Sequence, residues 1–212
     1  MKRNKGILIV VSGFSGAGKG TLMKKLMSAY DNYALSISMT TRKPRPGEQE
    51  GKDYFYISKE EFEKHIANDE LIEYARYVDN YYGTPKKYVE QCLSEGKDVI
   101  LEIEIQGALK IKEKFPETLL LFVMPPNASE LKKRLEGRGT EAAEVIAKRI
   151  SRATEESEGI EQYDYIVVND DIEQCVQEMN AIVKSAKFAV RRNIGFIEEI
   201  RQQLQDISKG EK

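Results

Sequence analysis

The chain has 212 residues, which suits one domain, or one core with inserted subdomains, and is enough to bury a sizeable core. Lys and Arg number 33 against 35 Asp and Glu, so the formal net charge is -2 and no basic excess marks a nucleic-acid footprint. Cys92 and Cys175 lie far apart and match no metal or redox spacing, no stretch is long and apolar enough to span a bilayer, and the one histidine, His65, sits in a charged stretch without ligating neighbours.

The start, Met1-Lys2-Arg3-Asn4-Lys5, is basic, but the apolar run behind it is too short for a signal peptide. Ile7–Val11 reads as a strand. It runs into a glycine-rich loop in which Gly13, four residues and then Gly18-Lys19 make the phosphate-loop spacing. Glycines let the backbone curl so that successive N–H groups face an anion, and the helix that follows adds its positive end. That helix shows in Leu22, Met23 and Leu26, with Lys24 and Lys25 off the stripe. Gly13, Ser15, Gly16, Ala17, Gly18, Lys19, Gly20 and Thr21 are the candidate phosphate cradle, with Lys19 the mobile charge for the outer phosphates.

Further apolar runs of strand character are Ala34–Met39, Val99–Ile105, Thr118–Met124 and Tyr165–Val168. Helical patterns separate most of them. The fold class expected is α/β, a five-stranded and mostly parallel core sheet with helices on both faces. Ser58-Lys59-Glu60-Glu61 is a capping box, and Thr84-Pro85 reads as a cap and an N1 proline ahead of a helix that stops at Gly96. A helix after Gly107 ends at Pro116, Asn127 caps a helix over 128–136, and 141–158 and 171–191 form two more. Residues 1–39 and 98–192 make the expected core. Residues 40–97, tyrosine-rich and irregular, form an insertion at the carboxyl edge of the sheet, where ligands bind in open α/β folds. Residues 137–142, opening Gly137-Arg138-Gly139-Thr140, have the look of a lid. Residues 193–212 form a helical extension whose stripe Phe196, Ile197, Ile200, Leu204 and Ile207 is expected to dock on the chain's own core, with a dimer contact as the alternative.

The insertion opens with Thr40-Thr41-Arg42-Lys43-Pro44-Arg45-Pro46-Gly47-Glu48. Read alone, this is a solvated basic loop, although two arginines on a proline-stiffened turn also suit phosphate oxygens. Gly51-Lys52-Asp53-Tyr54-Phe55-Tyr56 and Asn80-Tyr81-Tyr82-Gly83-Thr84 supply tyrosines that pack and donate hydrogen bonds. Leu71-Ile72-Glu73-Tyr74-Ala75 sets one acid in an apolar strand, read alone as a surface-facing residue.

Taken together, these segments resemble the guanylate kinases, from about Gly6 to about Lys187. The most specific parts are Thr40 through Tyr54 (T-T-R-x-P-R-x-G-E, then G-x-D-Y), N-Y-Y-G-T, K-K-R-L-x-x-R-G over 132–139 and Val167-Val168-Asn169-Asp170. The resemblance implies a phosphate-loop nucleotide kinase that transfers the γ-phosphoryl group of ATP to GMP, with Mg²⁺ accompanying ATP, in a cytoplasmic monomer or homodimer. By the same resemblance, Arg42, Arg45, Tyr54 and Tyr82 hold the GMP phosphate. Glu73, Thr84 and Ser38 read the guanine. Lys19, Arg134, Arg138 and Arg149 gather around the transferring group, and Asn169 lies near the adenine. The physics agrees with these roles: guanine offers two adjacent donors, N1–H and N2, which a carboxylate accepts together, and adenine cannot.

Three positions depart from the family pattern. Phe14 replaces a frequent proline. Gly20 follows Lys19 where many phosphate loops carry a metal-binding hydroxyl, so no protein ligand for the metal is assured. Glu102 and Glu104 stand where aspartates are usual. The expectation is Glu102 acting through water near the metal and Glu104 near the guanine amino group, with a single functional acid as the alternative. Two other functions fit a chain of this kind, a catalytically silent binding module and a kinase for another monophosphate acceptor. The retained Lys19 argues against the first, and Glu73 with Thr84 against the second.

Overall fold

Strand β1 (Leu8–Gly13) is apolar on both faces, with Ile9, Val10 and Val11 fully buried, and so takes the centre of a sheet. The computed structural model describes residues 5–77, 79–137 and 143–210. Around β1 stand β2 (Tyr33–Leu35), β7 (Asp98–Glu102), β8 (Leu119–Met124) and β9 (Tyr165–Val168), in the order β2-β7-β1-β8-β9, every neighbouring pair parallel. Strand alternation divides the core. Ile9, Val11, Leu119 and Leu121 face α1 (Lys19–Ala29) and α7 (Ile172–Ala186), while Val10, Val99, Leu101 and Leu120 face α3 (Lys86–Ser94) and α4 (Ile105–Lys114). The second sheet orders β4 (Phe55–Tyr56), β3 (Met39–Thr40), β6 (Asn80–Pro85) and β5 (Leu71–Tyr77), with β6 antiparallel to both its neighbours. Helix α2 (Lys59–Ala67) packs on it through the buried Phe62, whose ring stacks on Tyr81 at 5.1 Å. Helices α5 (Ala128–Glu136), α6 (Ala143–Ser157) and α8 (Ile194–Ser208) complete the described α-helices. No helix among the described residues is long and apolar enough to cross a membrane.

Local signals in the sequence set several helix ends. Ser58 and Glu61 form the expected reciprocal capping box, Asn127 accepts from the Glu130 amide at 2.8 Å, and Asp171 does the same for Gln174. Elsewhere the boundaries move. The run 34–39 is not one strand. Its first residues pair with β7, the Ser36 amide still reaches the Ile100 carbonyl, and the chain then crosses to the second sheet at Met39. The run 99–105 is strand only to Glu102. Ser12 Oγ donates to the Ile103 carbonyl at 2.6 Å, which turns the chain into α4 at Ile105, with Gly107 inside that helix. Thr84 is no helix cap: it lies buried in β6 with its hydroxyl on Glu73, and Pro85 is the N-cap of α3. The helix expected over 171–191 ends at Ala186 and a 3-10 turn follows at Val190–Arg192. The final stripe does not dock on the core: α8 buries none of its residues.

Asp98, fully buried at the start of β7, ties the amino ends of the elements together. Its carboxylate accepts from the Ile7 amide at 3.0 Å and Asn32 Nδ2 at 2.8 Å, and pairs with Lys187 Nζ at 2.7 Å. Removing one partner of a buried charged pair typically costs about 3–5 kcal/mol. Asp98→Ala is therefore expected to lower unfolding stability by about 3 kcal/mol in urea titrations, since three donors lose their acceptor.

Candidate active site

The loop between β1 and α1 is held open by glycine geometry. A Cβ at Gly13 would lie 2.2 Å from the Val123 carbonyl oxygen. Gly18 has φ +89° and a Cβ there would meet Asn169 Nδ2 at 2.5 Å. Gly18 is also the N-cap of α1, and no side chain caps that helix, so its first amides point into the loop. Asn169, buried after β9, donates to the Ala17 carbonyl at 2.8 Å and so clamps the loop from behind. Lys19 folds back over the loop, with Nζ 2.5 Å from the Gly13 carbonyl oxygen and 3.2 Å from that of Phe14. Arg149, on α6, reaches Ser15 Oγ at 3.4 Å, and Arg134, on α5, reaches the Ala17 carbonyl at 3.5 Å while its Nε rests on Glu130 at 2.8 Å. Arg138 lies outside the described residues, as does most of the expected lid, from 138 to 142.

Beside this loop opens a cavity of about 460 Å³, lined by Ser15, Lys19, Glu102, Glu104, Arg149 and Arg152 among others. A smaller one of about 140 Å³ is lined by Ser38, Asp53, Tyr54, Thr84 and Glu102 with their neighbours. Glu102 and Ile103, at the carboxyl end of β7, border both. Glu102 is exposed to the cleft, yet the protein around its carboxyl raises it above the usual carboxylate range, with the Lys19 charge opposing. Glu104 takes a different position from the one expected. It lines the larger cavity, not the smaller, and its carboxylate pairs with Arg152 Nη2 at 2.6 Å. Arg152 also holds Glu156 at 3.3 Å.

In the second sheet, Glu73 and Thr84 face each other across β5 and β6, with the Thr84 hydroxyl donating to Glu73 Oε1 at 2.8 Å. Burial raises the Glu73 carboxyl, and the Thr84 hydrogen bond opposes that shift. In the turn after β3, Arg42 makes a two-pronged contact with Glu48, both arms at 2.9 Å, and its guanidinium lies 5.3 Å from the Tyr54 ring centroid. Tyr82 packs edge-on against Tyr54 at 5.9 Å and contributes to raising the Arg42 pKa, behind the larger effect of Glu48. Arg45 is exposed, and its backbone amide joins Arg42 on Glu48 at 2.7 Å. Thus Arg42, Tyr54 and Tyr82 are brought together, with Ser38 and Thr84 around the smaller cavity and Lys19, Arg149 and Asn169 at the loop. Two functional candidates carried no assignment in the sequence. Glu48 lies within the arginine turn, three residues from Arg45. Arg152 lies three residues after Arg149, on the same face of α6, and helical spacing is the signal that would have found it.

The family model of the guanylate kinases, described as "Guanylate kinase", matches residues 5–186. A protein named guanylate kinase from Latilactobacillus sakei is 52% identical over 192 residues, covering 90% of this chain and 95% of the relative. One of the same name from Clostridioides difficile is 51% identical over 202 residues, covering 94% and 98%. The crystal structure of guanylate kinase from Anaplasma phagocytophilum superposes with a TM-score of 0.70 at 34% identity, covering 91% of this chain and 92% of that one.

Arg42 and the Arg45 amide hold the Glu48 carboxyl down at about 2, from an ordinary value of 4.5. A carboxyl lowered in the folded state adds stability above its unfolded pKa and loses it as pH falls toward the folded one. The stability gap between this protein and Glu48→Gln is therefore expected to be full at neutral pH and to close between pH 4.5 and about 2. Denaturant titrations at stepped pH measure it.

Proposed function

The chain belongs to the guanylate kinase family, and from that premise we propose that it transfers the γ-phosphoryl group of ATP to GMP, yielding ADP and GDP. The observation that carries this reading is the pairing of the phosphate loop with the Glu73–Thr84 couple on opposite sides of the Glu102 junction. The larger cavity takes the ATP phosphates against the loop amides and Lys19. The smaller takes GMP, with residues 40–97 as its binding insertion. Arg42, Tyr54, Tyr82 and Arg45 hold the GMP phosphate. Arg134, Arg149 and Arg138 close over the transferring group, with 137–142 as lid. The reaction takes place in the cytoplasm, in keeping with two buried free thiols, Cys92 and Cys175.

Phosphoryl transfer asks the protein for little proton chemistry. It needs the attacking and leaving oxygens in line and positive charge around the equatorial oxygens. Lys19 supplies that charge by leaving the Gly13 and Phe14 carbonyls for phosphate oxygens. Arg42 makes the corresponding exchange from Glu48, and the tyrosine rings beside it keep its plane in place. Glu73 accepts N1–H and N2–H of guanine. Its burial makes an unmatched charge there costly, so a base without those donors is rejected. Thr84 orients the carboxylate by occupying one lone pair of Oε1.

Mg²⁺ fits this site as an ion carried in by ATP. Among the described residues no cluster of three or more His, Cys, Asp or Glu side chains forms a metal site, Gly20 brings no hydroxyl, and Glu102, whose carboxyl feels the Lys19 charge, would reach the ion through water. When bound, the ion would neutralise charge on the phosphates.

Four outcomes test the reading. In a coupled ADP-release assay with ATP, GMP is expected to outrun AMP, UMP and dTMP, and any of these outrunning GMP overturns the assignment. Lys19→Ala is expected to lower kcat by at least about 100-fold, with GMP affinity by calorimetry nearly unchanged. Glu73→Gln is expected to weaken GMP about 10- to 100-fold and leave ATP alone. Because the Glu73 carboxyl titrates above its ordinary value, GMP affinity falls as pH drops through that raised pKa, and Glu73→Gln removes this dependence.

A further inference from the structure

We propose that Tyr56 is a positioning residue for the acceptor phosphate: its hydroxyl keeps the Glu48 carboxylate in place when Arg42 leaves that carboxylate for a phosphate monoester. This rests on Arg42 as the group that receives the GMP phosphate. Strand β4 pairs in parallel with β3, which sets Tyr56 opposite Thr40, two residues before Arg42. The Ile57 amide donates to the Thr40 carbonyl at 3.0 Å, and Thr40 Oγ1 accepts from the Arg42 amide at 3.2 Å. The Tyr56 ring therefore stands at the root of the arginine turn. Its centroid lies 6.0 Å from the Arg42 guanidinium and 5.9 Å from that of the Tyr54 ring. Its hydroxyl donates to Glu48 Oε2 at 2.8 Å.

The distribution of donors on Glu48 decides what this contact is for. A carboxylate has about four acceptor sites. Four donors fill them here. Arg42 Nη2 takes Oε1 at 2.9 Å, while Arg42 Nη1 at 2.9 Å, the Arg45 amide at 2.7 Å and the Tyr56 hydroxyl share Oε2. When Arg42 departs, two of these donors remain, both on Oε2. The pair is shielded, with Arg42 15% and Glu48 20% exposed, so water only partly replaces the guanidinium. The donors that stay behind then carry the charge between them, and each of their bonds strengthens. The hydroxyl thus favours the state in which Arg42 has left. Without it the carboxylate follows the guanidinium and opposes an incoming phosphate by like-charge repulsion. Burial, and then Glu48 itself, push the Tyr56 hydroxyl up to about 12, so it stays a donor throughout the neutral range. A hydroxyl that served only the empty turn would act in the opposite sense, locking Arg42 on Glu48 against the phosphate.

Calorimetry of the full chain with GMP, in the absence of ATP, tests this. Tyr56→Phe keeps the ring beside Arg42 and removes only the hydroxyl. It is expected to weaken GMP about 3- to 10-fold and to raise KM for GMP by the same factor, with kcat and ATP affinity within about twofold of wild type. Guanosine, which has no phosphate, is expected to bind both chains alike. In a Glu48→Gln background, where no charge is left to hold, Tyr56→Phe is expected to change GMP affinity by less than about twofold. Unchanged or tighter GMP binding by Tyr56→Phe, an equal loss for guanosine, or an undiminished loss in the Glu48→Gln background overturns the proposal. A wild-type chain that binds GMP no better than guanosine, or Arg42→Ala with wild-type GMP affinity, overturns the reading of Arg42 on which the proposal stands, whatever Tyr56→Phe does.

Discussion

Backbone amides cradle an anion only where the chain curls so that successive N–H groups converge, and this curl is possible only with β1 pinned behind it. Val123 packs so close to Gly13, and Asn169 so close to Gly18, that a side chain at either glycine would collide with backbone or clamp. The loop is therefore shaped from three sides: by the central strand, by the neighbour β8, and by the residue that follows β9. The five-stranded sheet matters to function chiefly because its carboxyl edge delivers these contacts, together with Glu102 from β7, to one place.

A second constraint is electrostatic. A site built to gather phosphates must keep many cations close together, and unshielded cations repel each other. Among the described residues four of these cations rest on internal acceptors: Lys19 on loop carbonyls, Arg42 on Glu48, Arg134 on Glu130 and Arg152 on Glu104 and Glu156. These pairs sit at the surface of a cleft, where ion pairs are individually weak, about 0–1 kcal/mol. Weak internal partners suit groups that must change partner when a ligand arrives. Buried pairs behave differently. Asp98 with Lys187 is fixed architecture, far from the cleft.

The contrast between α7 and α8 shows how alike two amphipathic helices look before they are packed. Both carry apolar stripes at helical spacing. That of α7, with Cys175, Val176, Met179 and Val183, is buried against the sheet, and burial pushes the Cys175 thiol up to about 11. That of α8 faces outward. Period alone says that a face is apolar. What covers it depends on where the chain emerges from the preceding turn, here redirected by the contacts of Lys187 and Arg192 at the bottom of the sheet.

The features legible in the sequence were those whose cause is local. The glycine spacing before Lys19, the capping box at Ser58, the cap at Asn127 and the apolar runs of β1, β8 and β9 each depend on neighbours within a few residues, so the residues themselves declare them. The family motifs likewise single out Glu73 with Thr84, and Arg42 with Tyr54 and Tyr82, side chains that lie together in the structure. Tertiary structure decided the rest. It split the run 34–39 between two sheets, ended β7 at Glu102 because Ser12 holds Ile103, and drew Thr84 from a helix cap to Glu73. It set Glu104 against Arg152, 48 residues away in the chain, and left α8 uncovered. Each of these outcomes turns on a partner distant in sequence, and hydrophobic period and turn chemistry carry no record of which distant group will be near.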